Sequence, residues 1–129
     1  MKILFDTHSF LWFIQGNTQE LSPTAQQILQ DQTLEPILSI ASVWEMGIKV
    51  KTGKLPLFLP FSDFVQQCIS DTQLELVPIE TADTVRVSSF PLHHRDPFDR
   101  MIIAQSMRLN VPILSRDTAF DDYGVQRIW

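Results

Sequence analysis

Apolar residues follow two alternating rhythms along this chain: short unbroken runs, and longer stretches with helical spacing. The run "KILF" (Lys2–Phe5) is apolar after its lysine, the pattern of a strand covered on both faces. It leads directly into "THSFLWFIQG", where Phe10, Phe13 and Ile14 share a helical face and Gly16 supplies a stop. "LSPTAQQILQD" opens with Ser22 as an N-cap and Pro23 at the first helical position. "EPILSI" predicts a second strand, and "SVWEMGIKVKTGK" a helix that closes near Gly53. "PFSDFVQQCIS" predicts another helix with Phe61, Phe64, Val65 and Cys68 on one face. Then come a strand in "LELVPI", a short helix in "TADTVRVSSF", a longer helix over Pro97–Leu109, and a strand in "VPILS". "GVQRIW" predicts a fifth strand, short and at the edge. Strands that alternate with helices imply a parallel sheet covered on both faces. The expected fold class is α/β, with a central sheet of four to five strands.

No repeat, low-complexity segment or convincing linker divides the chain, so residues 1–129 are expected to form a single domain. With 44% hydrophobic residues the composition is that of a globular protein. The single cysteine, Cys68, excludes an internal disulfide and fits a reducing, cytoplasmic compartment. On its helix face it reads as core packing and not as a nucleophile. No apolar run approaches the ~20 residues of a membrane span. "MKILFDTHSFLWFI" carries Asp6 and His8 inside its apolar region, so it reads as mature fold and not as a leader. The net charge of −5 argues against passive binding of polyanions, but it leaves room for an enzyme that holds phosphate through a metal ion.

Charge changes the picture most through the carboxylates. Each has a structural use. Asp6 follows the first strand and can cap a helix. Ser42-Val-Trp-Glu45 matches the capping box S-x-x-E. Asp96 fits an N-cap before Pro97, and Asp99 sits where the helix dipole favours an anion. Asp117, in "LSRDTAF", can cap a last short helix. Taken together they say more. In a parallel sheet all strands end, and all following helices start, at one edge, where open α/β folds place their sites. Asp6, Glu45, Asp99 and Asp117 should all reach that edge. Four such acids repel one another and raise each other's pKa values unless a divalent cation neutralises them. An all-oxygen donor set suits Mg²⁺ or Mn²⁺ better than Zn²⁺. The adjacent pair His93-His94 lacks zinc-ligand spacing and reads as loop packing, with contact to substrate phosphate as the functional option. Lys49, Lys51, Lys54, Arg95, Arg100 and Arg116 lie near the acids in sequence, as surface charges or as a grip on a phosphate backbone. Trp12 and Trp44 read as core or interface, with base stacking as a minor alternative.

The segments "ILFDTHSFLW", "SIASVWEMGIKVKTGKL", "LPLHHRDPFDRMIIAQ" and "ILSRDTAFDDYGV" resemble, in order and nearly end to end, the PIN domain, most nearly the VapC-type ribonuclease toxins of toxin–antitoxin pairs. The resemblance implies a three-layer α/β/α fold and Mg²⁺- or Mn²⁺-dependent endoribonuclease activity that leaves 5′-phosphate and 3′-hydroxyl ends. Its acidic quartet carries over to Asp6, Glu45, Asp99 and Asp117, with Asp6 and Asp99 as the main metal ligands. Asp96 would cap or support from outside the ligand set, and Thr7 and Ser115 match hydroxyls that orient the metal shell. Lys49, Arg95, Arg100 and Arg116 would contact RNA. A cognate antitoxin and a homodimer are the implied partners, the latter consistent with nine phenylalanines and three tryptophans in so short a chain. The runner-up is a PIN fold used for binding or scaffolding alone. A phosphoacceptor receiver would need an acidic doublet near the end of the first strand, and a haloacid-type phosphatase would need D-x-D, but the first strand ends in a lone Asp6 and position 8 is His8.

Overall fold

In the computed structural model, which describes residues 1–129, Lys2–Phe5 forms the central strand β1 of a five-stranded parallel sheet. The other strands are β2 (Glu35–Ser39), β3 (Glu75–Val77), β4 (Ile113–Leu114) and β5 (Arg127–Ile128), in the order β3-β2-β1-β4-β5. Leu4 aligns with Ile37 on one side and Ile113 on the other. The chain builds outward from β1 to β3, then returns to add β4 and β5 on the opposite side. The switch point therefore falls between β1 and β4.

Successive residues of β1 face opposite sides of the sheet, and two cores follow from that alternation. Ile3 and Phe5 join Phe10, Leu11, Ala25, Met46 and Cys68 on one face. Leu4 joins Ile37, Ile102, Ile103, Ile113 and Phe120 on the other. The first face is covered by α1 (Thr7–Gln15), α2 (Pro23–Leu29), α3 (Ile40–Lys51) and α4 (Phe61–Thr72). The second is covered chiefly by α6 (Pro97–Leu109), against which α5 (Thr81–Ser88) packs. This is the three-layer α/β/α arrangement, with five strands. The apolar half of α4 lies close on α3: a Cβ at Gly47 would stand 3.2 Å from the ring of Phe61. No helix is long and apolar enough to cross a membrane.

Helix starts follow their caps, with one correction. Asp6 caps α1, Ser22 caps α2 and Asp96 caps α6, each accepting a backbone N–H of the first turn. Helix α3 begins earlier than the Ser42–Glu45 box implies. Ser39 is its cap, accepting from Ala41 N at 3.0 Å, so Ser42 and Glu45 lie within the helix and both are buried. Both residues are thereby free for tertiary contacts.

Helices α5 and α6 are locked by a polar clasp that periodicity does not reveal. Asp83 is 1% exposed, and its carboxylate takes Arg108 Nε at 2.8 Å and Nη2 at 3.1 Å. Its Oδ2 also accepts the Glu80 N–H at 2.9 Å, closing a capping box on α5. Asp83→Ala removes these charge-assisted bonds while Arg108 keeps Glu80 at 3.3 Å and some contact with solvent, so it should destabilise the fold by about 2 kcal/mol in urea denaturation. Lys2→Ala breaks an exposed pair with Glu75 and should cost less than about 1 kcal/mol in the same experiment.

Candidate metal centre

Four elements end or begin at the C-terminal edge of the sheet beside the β1/β4 switch point, and each delivers one acid. Asp6 is the residue after β1 and Asp117 follows β4 by three positions. Glu45 lies in the second turn of α3, and Asp99 in the first turn of α6.

Short hydrogen bonds tie these acids together. Asp6 Oδ1 accepts from Ser9 N at 2.8 Å, and its Oδ2 accepts from Ser115 Oγ at 2.5 Å. Ser115 Oγ in turn accepts the backbone N–H of Asp117 at 3.0 Å. Thr7 Oγ1 lies 2.6 Å from Glu45 Oε1, to which it donates, and 3.0 Å from Ser42 Oγ. Asp117 Oδ1 accepts from Ala119 N at 3.0 Å, so this residue also caps the 3₁₀ segment Thr118–Tyr123. Thr7, Ser42 and Ser115 are all buried. Thr7 gives Glu45 a donor and Ser115 gives one to Asp6, while Ser42 accepts from Thr7.

The charge at this edge is under-compensated. The Asp99 carboxyl is pushed up to about 8, first by burial and then by Asp96, Asp6, Glu45 and Asp117, in that order of effect. Asp96 itself is turned to its own helix, its Oδ1 accepting from Phe98 N at 2.8 Å and Asp99 N at 3.4 Å. It supplies repulsion to Asp99 while capping α6. The donor set of Asp6, Glu45, Asp99 and Asp117 is entirely oxygen, which fits a hard divalent ion such as Mg²⁺ or Mn²⁺.

Two contributors were not legible in the sequence. His94 Nε2 lies 2.7 Å from Asp117 Oδ2 and 3.1 Å from Asp99 Oδ2. The loop before α6 carries it there, and its backbone N–H donates to Tyr123 Oη at 2.9 Å, a contact 29 residues away that no local spacing signals. Ser42 was hidden by its resemblance to a cap.

The basic residues divide. Lys49, Lys54 and Arg95 line a groove of about 510 Å³ with Glu45, Asp96 and Phe98. Lys49 Nζ also approaches His8 Nε2 at 3.5 Å. Arg116 lies over the Trp12 ring, 4.7 Å from its centroid, and pairs with Glu20 at 3.3 Å. Arg100 faces inward instead: its Nη2 donates to the carbonyls of Val87 at 3.0 Å and Phe90 at 3.5 Å, which pins the chain between α5 and α6.

Comparison with known proteins places the chain in a family. The PIN domain family matches residues 3–126, and the chain belongs to that family. A sequence search finds no match among curated proteins. Among solved structures, the chain resembles VapBC2 from Rickettsia felis bound to a promoter DNA fragment, at 11% identity and a TM-score of 0.72, covering 99% of this chain and 98% of that one. It resembles FitAcB from Neisseria gonorrhoeae at 17% identity and a TM-score of 0.62, covering 98% and 96%. It also resembles the PIN domain endonuclease Utp24 at 15% identity and a TM-score of 0.51, covering 95% and 75%. At these identities the likeness concerns the fold.

The raised Asp99 pKa fixes a sign for stability against pH. The folded value, about 8, lies above the ordinary aspartate value of 3.8, so the folded protein holds a proton that the unfolded chain releases. Metal-free protein should therefore lose stability as pH rises from about 4 to about 8. Asp99→Asn removes the group that titrates. Melting curves across this range should show a shallower decline for the variant, and a higher melting temperature than the parent at pH 8.

Proposed function

We propose that the chain is a metal-dependent endoribonuclease, the toxin of a toxin–antitoxin pair. One observation carries this reading. Asp99 is buried beside Asp96, Asp6, Glu45 and Asp117, which together push its carboxyl up to about 8, and a divalent cation is the natural partner for such a set. Asp6 and Asp99 would be the main ligands, with Glu45 and Asp117 completing the shell in part through water. The ion, when bound, supplies a Lewis acid that activates water and screens charge on a phosphoryl group. The chain's own groups do the rest. Thr7 and Ser115 fix the rotamers of Glu45 and Asp6. Lys49, Arg95 and Arg116 offer cations around an otherwise anionic mouth, positioned to hold the backbone of an RNA strand on either side of the scissile phosphate. Arg100, committed to the carbonyls of Val87 and Phe90, serves the loop and not the strand.

Partners follow the same reading. A toxin–antitoxin complex from Klebsiella pneumoniae is among the structures this chain resembles, and an antitoxin for this chain has an apolar cleft available beside α1 and α4. It is lined by Phe13, Ile14, Leu57, Phe58, Leu59 and Phe64, with Phe58 fully exposed. On another face, Ile40, Trp44 and Ile48 recur every four residues along α3 and are all exposed, a stripe that suits self-association as a homodimer.

An RNA cleavage assay with Mg²⁺ or Mn²⁺ tests the activity. The parent should cleave and chelator should abolish cleavage. Asp6→Asn and Asp99→Asn should lose at least about a hundredfold, on the scale of losing a principal electrostatic contributor. Asp96→Asn should cleave near the parent rate, because asparagine caps a helix about as well. No cleavage by the parent in Mn²⁺ would favour a PIN fold that binds without cutting. Sedimentation at micromolar concentration should show a dimer, and Trp44→Glu a monomer.

A further inference from the structure

His94, Asp99 and Asp117 present ligand atoms within 4.8 Å of one another, an arrangement that at first sight makes the imidazole a metal ligand. Its hydrogen bonds say otherwise. The backbone N–H of Asp96 donates to His94 Nδ1 at 3.1 Å, so Nδ1 carries a lone pair and no proton. In a neutral ring the proton is then on Nε2. An Nε2–H pointing at two carboxylate oxygens is a donor, and a protonated nitrogen has no lone pair to give a metal. To ligate through Nε2 the ring would have to move its proton to Nδ1, where it would face the Asp96 N–H. The ring is also held in place: its edge packs against Phe120 with centroids 5.7 Å apart, and Tyr123, which takes the His94 N–H, donates to Pro91 O at 2.8 Å.

From this we infer that His94 is a positioning residue, a tautomer-locked donor that holds the Asp99 and Asp117 carboxylates together from outside the ligand set. The inference rests on the metal-centre reading for its purpose, though not for its geometry. It assigns different tasks to the two acids. Asp117 is held on both oxygens, by Ala119 N–H and by His94. Asp99 makes only the longer approach, its Oδ2 lying 3.1 Å from the same nitrogen, so its carboxyl is the less committed of the two. The same Asp96 that caps α6 thus sets the tautomer of His94 through its own N–H, so the "HRD" segment acts as one unit: His94 orients, Asp96 caps and locks, and Asp99 ligates.

Two measurements on the full chain test this. Long-range ¹H–¹⁵N NMR of the imidazoles reads the tautomer directly; with three histidines in the chain, the His94→Gln spectrum identifies the His94 signals. The expected result is an unprotonated Nδ1 and a protonated Nε2, in metal-free protein and unchanged on adding Mg²⁺. A proton on Nδ1 in either state overturns the inference. Calorimetric titration with Mg²⁺ then reads the consequence. His94→Ala should weaken binding about tenfold or more, as loss of an outer partner of a metal ligand does. His94→Gln, whose amide can still donate, should recover part of it. An unchanged affinity in a folded His94→Ala also overturns the inference. Should the parent bind no Mg²⁺, the metal-centre reading falls, and the tautomer in the metal-free spectrum still decides the case of His94.

Discussion

Burial of carboxylates beside one another at one edge of the sheet is the constraint around which this molecule is organised. Asp6 and Glu45 are buried and Asp99 nearly so, with Asp117 at the exposed rim, and the surrounding structure answers with donors instead of cations. Thr7, Ser115 and His94 each give a hydrogen bond to one or more of the four. Those bonds do not offset burial and the neighbouring acids at Asp99, whose carboxyl is pushed up to about 8. Hydroxyls and a neutral imidazole stabilise carboxylates without filling the space a cation needs. A lysine in the same place would have neutralised the cluster and closed it.

The parallel sheet is what makes such crowding attainable. With every strand running the same way, the N-termini of α1, α3 and α6 all open toward the same edge, and their backbone N–H groups and dipoles favour anions there. Asp6 exploits this directly, capping α1 through Oδ1 while its other oxygen takes Ser115. Capping and site-building are therefore not competing explanations for these residues. The cap fixes the carboxylate's position, and the position makes it useful. Asp96 shows the limiting case, in which the cap takes the whole side chain and the contribution to the site is electrostatic.

This double use also decides what was legible in the sequence. The five strands, the caps at Asp6, Ser22 and Asp96, and the placement of the acids at strand ends and helix starts follow from local pattern, because each depends on neighbours a few residues away. The start of α3 was misplaced, since Ser39 and Ser42 are both competent caps and only the register of β2 selects the first. The inward turn of Arg100 and the approach of His94 to the acids were beyond reach for a different reason. Both are set by the path of the chain between α5 and α6, pinned by Val87, Phe90, Pro91 and Tyr123, and by no spacing in the motif itself. The Asp83–Arg108 clasp, 25 residues apart in sequence, escaped for the same reason.

If the acid cluster is a cation site, ion binding must expel the proton that burial and the neighbouring acids keep on Asp99. Calorimetric titration with Mg²⁺ at pH 7, repeated in buffers of different ionisation enthalpy, counts that proton. The expected result is saturable binding with release of about one proton per ion, and release close to zero for Asp99→Asn. Binding without proton release by the parent, or no binding at all, would contradict the assignment of these four carboxylates to a metal.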